Sequence, residues 1–211
     1  MFAVIFEVEP KRERRNDYFE TASRLRPELE RIDGFVDNER FRHLTRPERV
    51  LSLSIWHDEA ALVRWRMLAV HRQAQERGRR EIFSDYHLRV GEIVADSAGV
   101  ALSQRGLDAT QVGAAFVTIA ELAPMSGAED IGLSEGACTE ISGFESLTTP
   151  GKSLWLASWR DAASAESWTP RVPTGATFRH RRVRIIRDYG MDDRREAPQH
   201  YPPVERQRHG A

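Results

Sequence analysis

Two tandem α+β modules of βαββαβ order, with antiparallel sheets packing into an α+β barrel, are the fold class that this 211-residue sequence predicts. Three observations carry the prediction. The same order of strand-like and helix-like segments runs through both halves, several short segments return from one half in the other, and the first strand is apolar on both faces. A strand apolar on both faces needs helices over one side and something else, such as a second sheet, over the other.

The elements follow in order. Residues 2–9 are rich in β-forming side chains and end at Pro10, which gives a first strand. Asn16 or Asp17 is the expected cap of a helix whose apolar positions are Phe19, Ala22, Leu25, Leu29 and Ile32. Pro27 falls inside that pattern and predicts a kink or a restart, and Gly34 a stop. Residues 35–44 and 49–56 read as two strands joined through Thr45, Arg46, Pro47 and Glu48. Asp58 caps a second helix that reaches Arg77, with Gly78 as its stop, and Val63, Met67, Val70 and Ala74 form its apolar stripe at steps of 4, 3 and 4. Residues 86–94 close the unit, and its order is the ferredoxin-like one.

The pattern then returns. AVIFEVEP from Ala3 aligns without gaps onto VTIAELAP from Val117, IDGF from Ile32 onto ISGF from Ile141, and SIWHD from Ser54 onto ASWRD from Ala157. A second tryptophan follows nine residues after the first in each half, Trp56 to Trp65 and Trp159 to Trp168, and HLRV from His87 matches HRRV from His180. The expected organisation is a complete module at residues 1–96, a small and polar linker at 97–112, a degenerate module at 113–190 and a polar tail at 191–211. The second module is degenerate in both helices. Its first is expected to be short, since it carries Gly127, Gly132 and Gly136, and its second stops at Thr169-Pro170. The tail, charged and poor in apolar residues, is expected to be mobile or draped over the surface.

Composition excludes several classes. Lys plus Arg total 31 against 32 for Asp plus Glu, a net charge of -1 without the basic excess of a nucleic-acid binder. Cys138 is the single cysteine, so no internal disulfide or thiolate cluster can form, which fits a reducing cytoplasm. No apolar run is long enough to span a bilayer, and the N-terminal stretch is broken by Glu7 and Glu9, unlike a signal peptide. The histidines at 43, 57, 87 and 180 show no metal-ligand spacing, and no glycine-rich phosphate loop or nucleophile elbow is present. Neither a metal nor a nucleotide cofactor is expected.

Residues 29–35 (LERIDGF), the run from Leu53 through Trp56, Asp58 and Trp65, the stretch His71 to Arg79, and Phe83, Tyr86, Arg89 and Val90 together resemble the antibiotic biosynthesis monooxygenase family, of the dimeric α+β barrel superfamily. The resemblance covers most of residues 1–94 and, more faintly, 114–190. It implies two sheets meeting face to face, here supplied by one chain as an intramolecular pseudo-dimer, with further homodimerisation left open by the sequence. It also implies a pocket between the sheet and the second helix of the first module, with Trp65 in its wall, and a cofactor-independent monooxygenase using dioxygen on a hydroxylated aromatic or quinol-like small molecule.

The chemistry such a reaction needs is a base that ionises a phenol or enol, and His71 is the candidate, expected to titrate near neutrality. Trp65 and His71 are the expected catalytic pair, and Phe6, Met67, Arg79 and Tyr86 the expected substrate contacts. Set against this are plain core packing for Trp65, matched by Trp168, and an exposed helix position for His71 beside Arg72. In an unbroken helix the two lie ~120° apart, so both can face one cavity only if the helix bends near Leu68. Two alternatives remain. Haem-degrading relatives carry an asparagine on the first strand and a histidine about three turns past the tryptophan, where this chain has Phe6, Glu7 and Gln75. A non-catalytic binding or scaffold barrel is the other.

Overall fold

The computed structural model describes residues 1–99, 107–134 and 136–198. Eight strands form one closed barrel in the order β1-β3-β2-β6-β7-β5-β8-β4. The first module contributes β1 (Phe2–Pro10), β2 (Phe35–His43), β3 (Val50–Trp56) and β4 (Phe83–Asp96), and the second β5 (Phe116–Ala123), β6 (Glu140–Ser146), β7 (Ser153–Trp159) and β8 (Thr177–Gly190). Within each module the strand order is that of a ferredoxin-like sheet, with the first strand between the third and the fourth. The two sheets bury a common interior and also join along both edges. One seam, β4 with β8, runs from His87↔Gly190 to Asp96↔Arg181, whereas β2 and β6 pair over only Phe41↔Ser146 to His43↔Phe144. A closed sheet leaves no unpaired strand edge.

The period of two sorts the side chains. Ala3 and Ile5 point into the barrel with Leu51, Leu53 and Ile55, and meet Val117, Ile119, Leu154, Leu156, Val183 and Ile185 of the other half in one buried cluster. Their alternates Phe2, Val4, Phe6 and Val8 face outward beneath the helices. Glu7 sits on the interior side but is buried against Arg89, whose guanidinium bonds the Glu7 carboxylate at 2.6 Å and the Ser158 hydroxyl at 3.1 Å. This ion pair links β1 and β4 of one module to β7 of the other.

The cap at Asp58 forms as the sequence predicts, and Asp161, its match in the SIWHD/ASWRD repeat, caps in the same way. Their carboxylates accept from the Ala61 and Ser164 amides at 2.7 and 2.8 Å, and open α2 (Glu59–Met67) and α4 (Ala162–Ser167). Trp56 and Trp159 are equivalent core residues, each 1% exposed, with indole N–H groups donating to Ser54 and Thr118 hydroxyls.

Several expectations are corrected. The first helix, α1 (Arg15–Glu30), starts before Asn16, follows a 3-10 turn at Arg12–Arg14, has no side-chain cap and runs unbroken through Pro27. Pro27 and Ser23, the residue whose carbonyl loses its partner, are both exposed, so water can satisfy the lost bond. Among the described residues the second module has no first α-helix, only a 3-10 turn at Glu129–Ile131, because three nearby glycines favour turns over a helix. The last strand of the first module begins at Phe83 and ends at Asp96, longer than expected. Two of the repeat matches are not structurally equivalent. Phe144 pairs with Leu154, as Phe41 rather than Phe35 pairs with Leu51, and Val183 lies opposite Val117, the position that Gly91 rather than Val90 holds against Ala3. The tail departs as well: Met191 is buried, and Glu196 accepts from the Thr110 hydroxyl and the Gln111 and Asp188 amides, so residues 191–198 are docked. Residues 100–106 of the expected linker and residues 199–211 of the tail lie outside the described residues.

Candidate active site

The second helix of the first module is two helices. Leu68 has an extended ψ of 129°, and it separates α2 from α3 (Ala69–Arg77). In a continuous helix the Trp65 carbonyl would bond the amide four residues on. Here it accepts instead from the Leu68 amide at 3.2 Å and from His71 Nδ1 at 3.0 Å. The break rotates α3 so that the His71 ring lies flat on the Trp65 indole, with centroids 4.0 Å apart and planes at 16°. The bend that both side chains require to share a cavity is therefore present.

A carbonyl oxygen can only accept, so the Nδ1–H of His71 is committed and Nε2 carries the lone pair. Burial holds the imidazole well below its ordinary value, at about 4, against a smaller opposing effect of the Trp65 carbonyl. The expectation of a histidine titrating near neutrality is thus corrected. Desolvation penalises the imidazolium more than one hydrogen bond stabilises it, and the ring is neutral at pH 7.

The stack forms one wall of a cavity of about 230 Å³ between the outer face of the first module's sheet and its helices. Val4, Phe6, Leu88 and Val90 form its floor, and Ala22, Leu25 and Leu29 of α1 its opposite side. A π-helical turn at Gly78–Ile82 closes one end with Arg79 and Ile82. Of the expected site residues, His71, Trp65, Tyr86, Arg79 and Phe6 all line this cavity. Met67 does not: it is 49% exposed, two residues past Trp65 and so turned ~200° away from it on the helix.

The lining also holds groups that sequence reasoning missed. Arg187 and Tyr189 come from β8, and Arg194 and Pro198 from the docked tail. A bulge explains the first two. Val90 pairs with Arg187 but Gly91 with Ile185, so Ile186 is an extra residue. Before it the odd-numbered Val183 and Ile185 face the barrel interior; after it the odd-numbered Arg187 and Tyr189 face the cavity. Arg194 donates to the Tyr86 hydroxyl and to the Gly190 carbonyl. Burial raises Tyr86 above its ordinary value and pushes Tyr189 to about 12, with the neighbouring Tyr86 adding to the latter. Both phenols are protonated donors at neutral pH.

The corresponding space in the second module is filled. Ile131, Leu133, Ala128 and Cys138 replace a first helix over the sheet and pack with Trp155, Trp159, Trp168 and Phe178. Trp168 ends α4 and meets His180 edge to face at 5.4 Å. Trp168→Phe is therefore expected to lower stability by ~1–3 kcal/mol while leaving ligand affinity at the first module unchanged, checked by thermal unfolding beside a binding titration.

No group of three or more metal-ligating side chains occurs among the described residues. Nor, among them, is any helix long and apolar enough to cross a membrane.

A closed antiparallel barrel of two ferredoxin-like modules, with helices outside and an apolar cavity beneath them, is the dimeric α+β barrel class with both halves in one chain. The chain belongs to the antibiotic biosynthesis monooxygenase family. The profile of that family, described as antibiotic biosynthesis monooxygenase, matches residues 1–77. A jasmonate monooxygenase ABM of Pyricularia oryzae is 40% identical over 221 aligned positions, which span 97% of this chain and 100% of that relative. Among solved structures, an aldoxime dehydratase matches with a TM-score of 0.54 at 10% identity, over 87% of this chain and 80% of that one, and shares the fold. A putative monooxygenase from Lactobacillus acidophilus gives a TM-score of 0.42 at 8% identity over 90% of this chain and 99% of its own.

Proposed function

We propose that this chain is a monooxygenase of a small, mainly apolar acid of the jasmonate type, and that the cavity beneath α1, α2 and α3 is where it acts. The observation that carries the reading is the cavity's lining: an apolar floor and walls, six arginines, and one carboxylate, Glu59. That balance fits an apolar body ending in an anion better than it fits a neutral polyol or a cation. The full-length relative named as a jasmonate monooxygenase supports the same substrate class. At about 230 Å³ the cavity suits one small molecule.

In this reading the residues divide the work. Phe6, Leu88 and Val90 hold the apolar body and exclude water, the Trp65–His71 stack fixes one face of the substrate, and neutral Nε2 of His71 accepts a hydrogen bond from a substrate or product hydroxyl. The expected product carries one atom of dioxygen, the other leaving as water with two electrons supplied from outside the substrate. Incubating the protein with jasmonate, isotopically labelled dioxygen and a two-electron donor is expected to give a product heavier by one labelled oxygen. Oxygen uptake with no labelled product from jasmonate would refute the substrate assignment.

A hydroxylated aromatic or quinol is the second reading, favoured by one observation, the flat face of the Trp65–His71 stack. Such a substrate provides all the electrons itself. Oxygen uptake with an anthrone and no added donor, in the absence of turnover of jasmonate, would favour it.

A further inference from the structure

We propose that Arg66 of α2 and Arg187 of β8 form an anion clamp that holds the carboxylate of the substrate, so that the second module supplies half of a binding site in the first. The assignment rests on reading this cavity as the substrate site.

The six arginines of the lining are not equivalent. Arg26 donates to Glu30 and to the Asn38 carbonyl, Arg40 bonds the Tyr18 hydroxyl, and Arg79 and Arg194 converge on the Tyr86 hydroxyl. Arg187 has only a long contact, 3.9 Å, to Glu59. Arg66 makes no hydrogen bond and no ion pair with any described residue. Arg66 is half-buried and Arg187 partly exposed, and two neighbouring cations with no anion between them repel each other.

Burial, the largest effect, holds Arg66 below its ordinary value, and Arg187 acts in the same sense against the opposing Tyr189 and Glu59. Arginine nonetheless stays charged at any physiological pH. Within the lining, Glu59 is the sole carboxylate set against these cations. A ligand carboxylate between the two guanidiniums supplies what is missing, since each planar fork can take a carboxylate side-on. The bulge at Ile186 is what makes this possible. Were β8 regularly paired through Ile186 instead of bulged, Arg187 would follow Val183 and Ile185 into the barrel interior.

The clamp also sets specificity: free acids are taken, and the corresponding esters lose the ionic contact. Calorimetric titration with jasmonate, octanoate and indole-3-acetate, each against its methyl ester, tests this in the full chain. Acids are expected to bind about 10-fold or more tightly than their esters, and the preference is expected to vanish in the Arg66→Met/Arg187→Met double variant. Ester affinity should persist there, which shows that the variant is folded and its cavity intact. Esters binding as well as acids, an acid preference that survives the double substitution, or no binding of any carboxylate would each overturn the clamp. Binding of octanoate and indole-3-acetate with the expected preference, but not of jasmonate, would keep the clamp and remove the jasmonate reading instead.

Discussion

His71→Ala is expected to lower turnover by about 10²-fold or more and to remove a component of acid sensitivity from folding. The ring does two things at once. Its Nδ1–H satisfies the carbonyl that the break at Leu68 leaves open, and in the proposed reaction its Nε2 is the acceptor. His71→Gln, which can still donate to that carbonyl, should recover stability without recovering turnover. The pH dependence follows from the depressed value of about 4 against 6.5 in the unfolded chain. Between those values the unfolded state binds the extra proton. Stability is therefore full above about pH 6.5, falls as the pH drops through the window, and levels off near pH 4. The increment is about 3 kcal/mol at most. Denaturant unfolding of wild type and His71→Ala at neutral pH and at about pH 4.5 should differ by this amount, and identical pH dependence in the two proteins would contradict it. Activity carried by the neutral ring should likewise persist well below pH 6.5.

Glu7→Ala is expected to destabilise the barrel by ~3–5 kcal/mol, more than any surface substitution. Its partner Arg89 is 3% exposed and would be left as an uncompensated charge inside the barrel, held only by Ser158. Arg49, 3.7 Å from the same carboxylate, would lose part of its pairing as well. The double replacement Glu7→Leu/Arg89→Met removes both charges and should return most of the loss, because a buried pair is costly to break yet contributes little beyond an apolar equivalent. Unfolding in denaturant measures both. A loss below ~1 kcal/mol for Glu7→Ala would mean that water reaches Arg89.

What the sequence made legible was local. Strand alternation, the caps at Asp58 and Asp161, the turn at Gly34 and the early end of the second module's last helix all depend on a few adjacent residues, whereas Gly78, expected as a stop, leads from α3 into the π-helical turn. Trp65 and His71 came instead from the resemblance to a known family and the chemistry it implies, and both line the cavity. The cavity's second wall was not legible, since Arg187 and Tyr189 reach it only through a bulge, and a bulge reverses the facing of every later residue without marking the sequence. Arg194 and Pro198 were missed because a charged, apolar-poor segment looks mobile until its contacts are known, and the latch through Glu196 joins residues 85 and more positions apart. The repeat matches at Ile141 and His180 misled for the opposite reason: short identities between duplicated strands can slip along the chain while the topology stays the same.

The two seams of the barrel have a consequence for dilution. A barrel closed between separate chains loses its second half when the protein concentration falls below the dissociation constant, and its two halves must present one self-complementary surface. Here both halves share a backbone, so the closing strands meet at a fixed effective concentration whatever the amount of protein. Covalent linkage also ends the rule that a change in one half appears in the other. The second module was free to fill its own cavity with Ala128, Ile131, Leu133 and Cys138 and to aim β8 at its neighbour's, a division of labour that identical subunits cannot adopt.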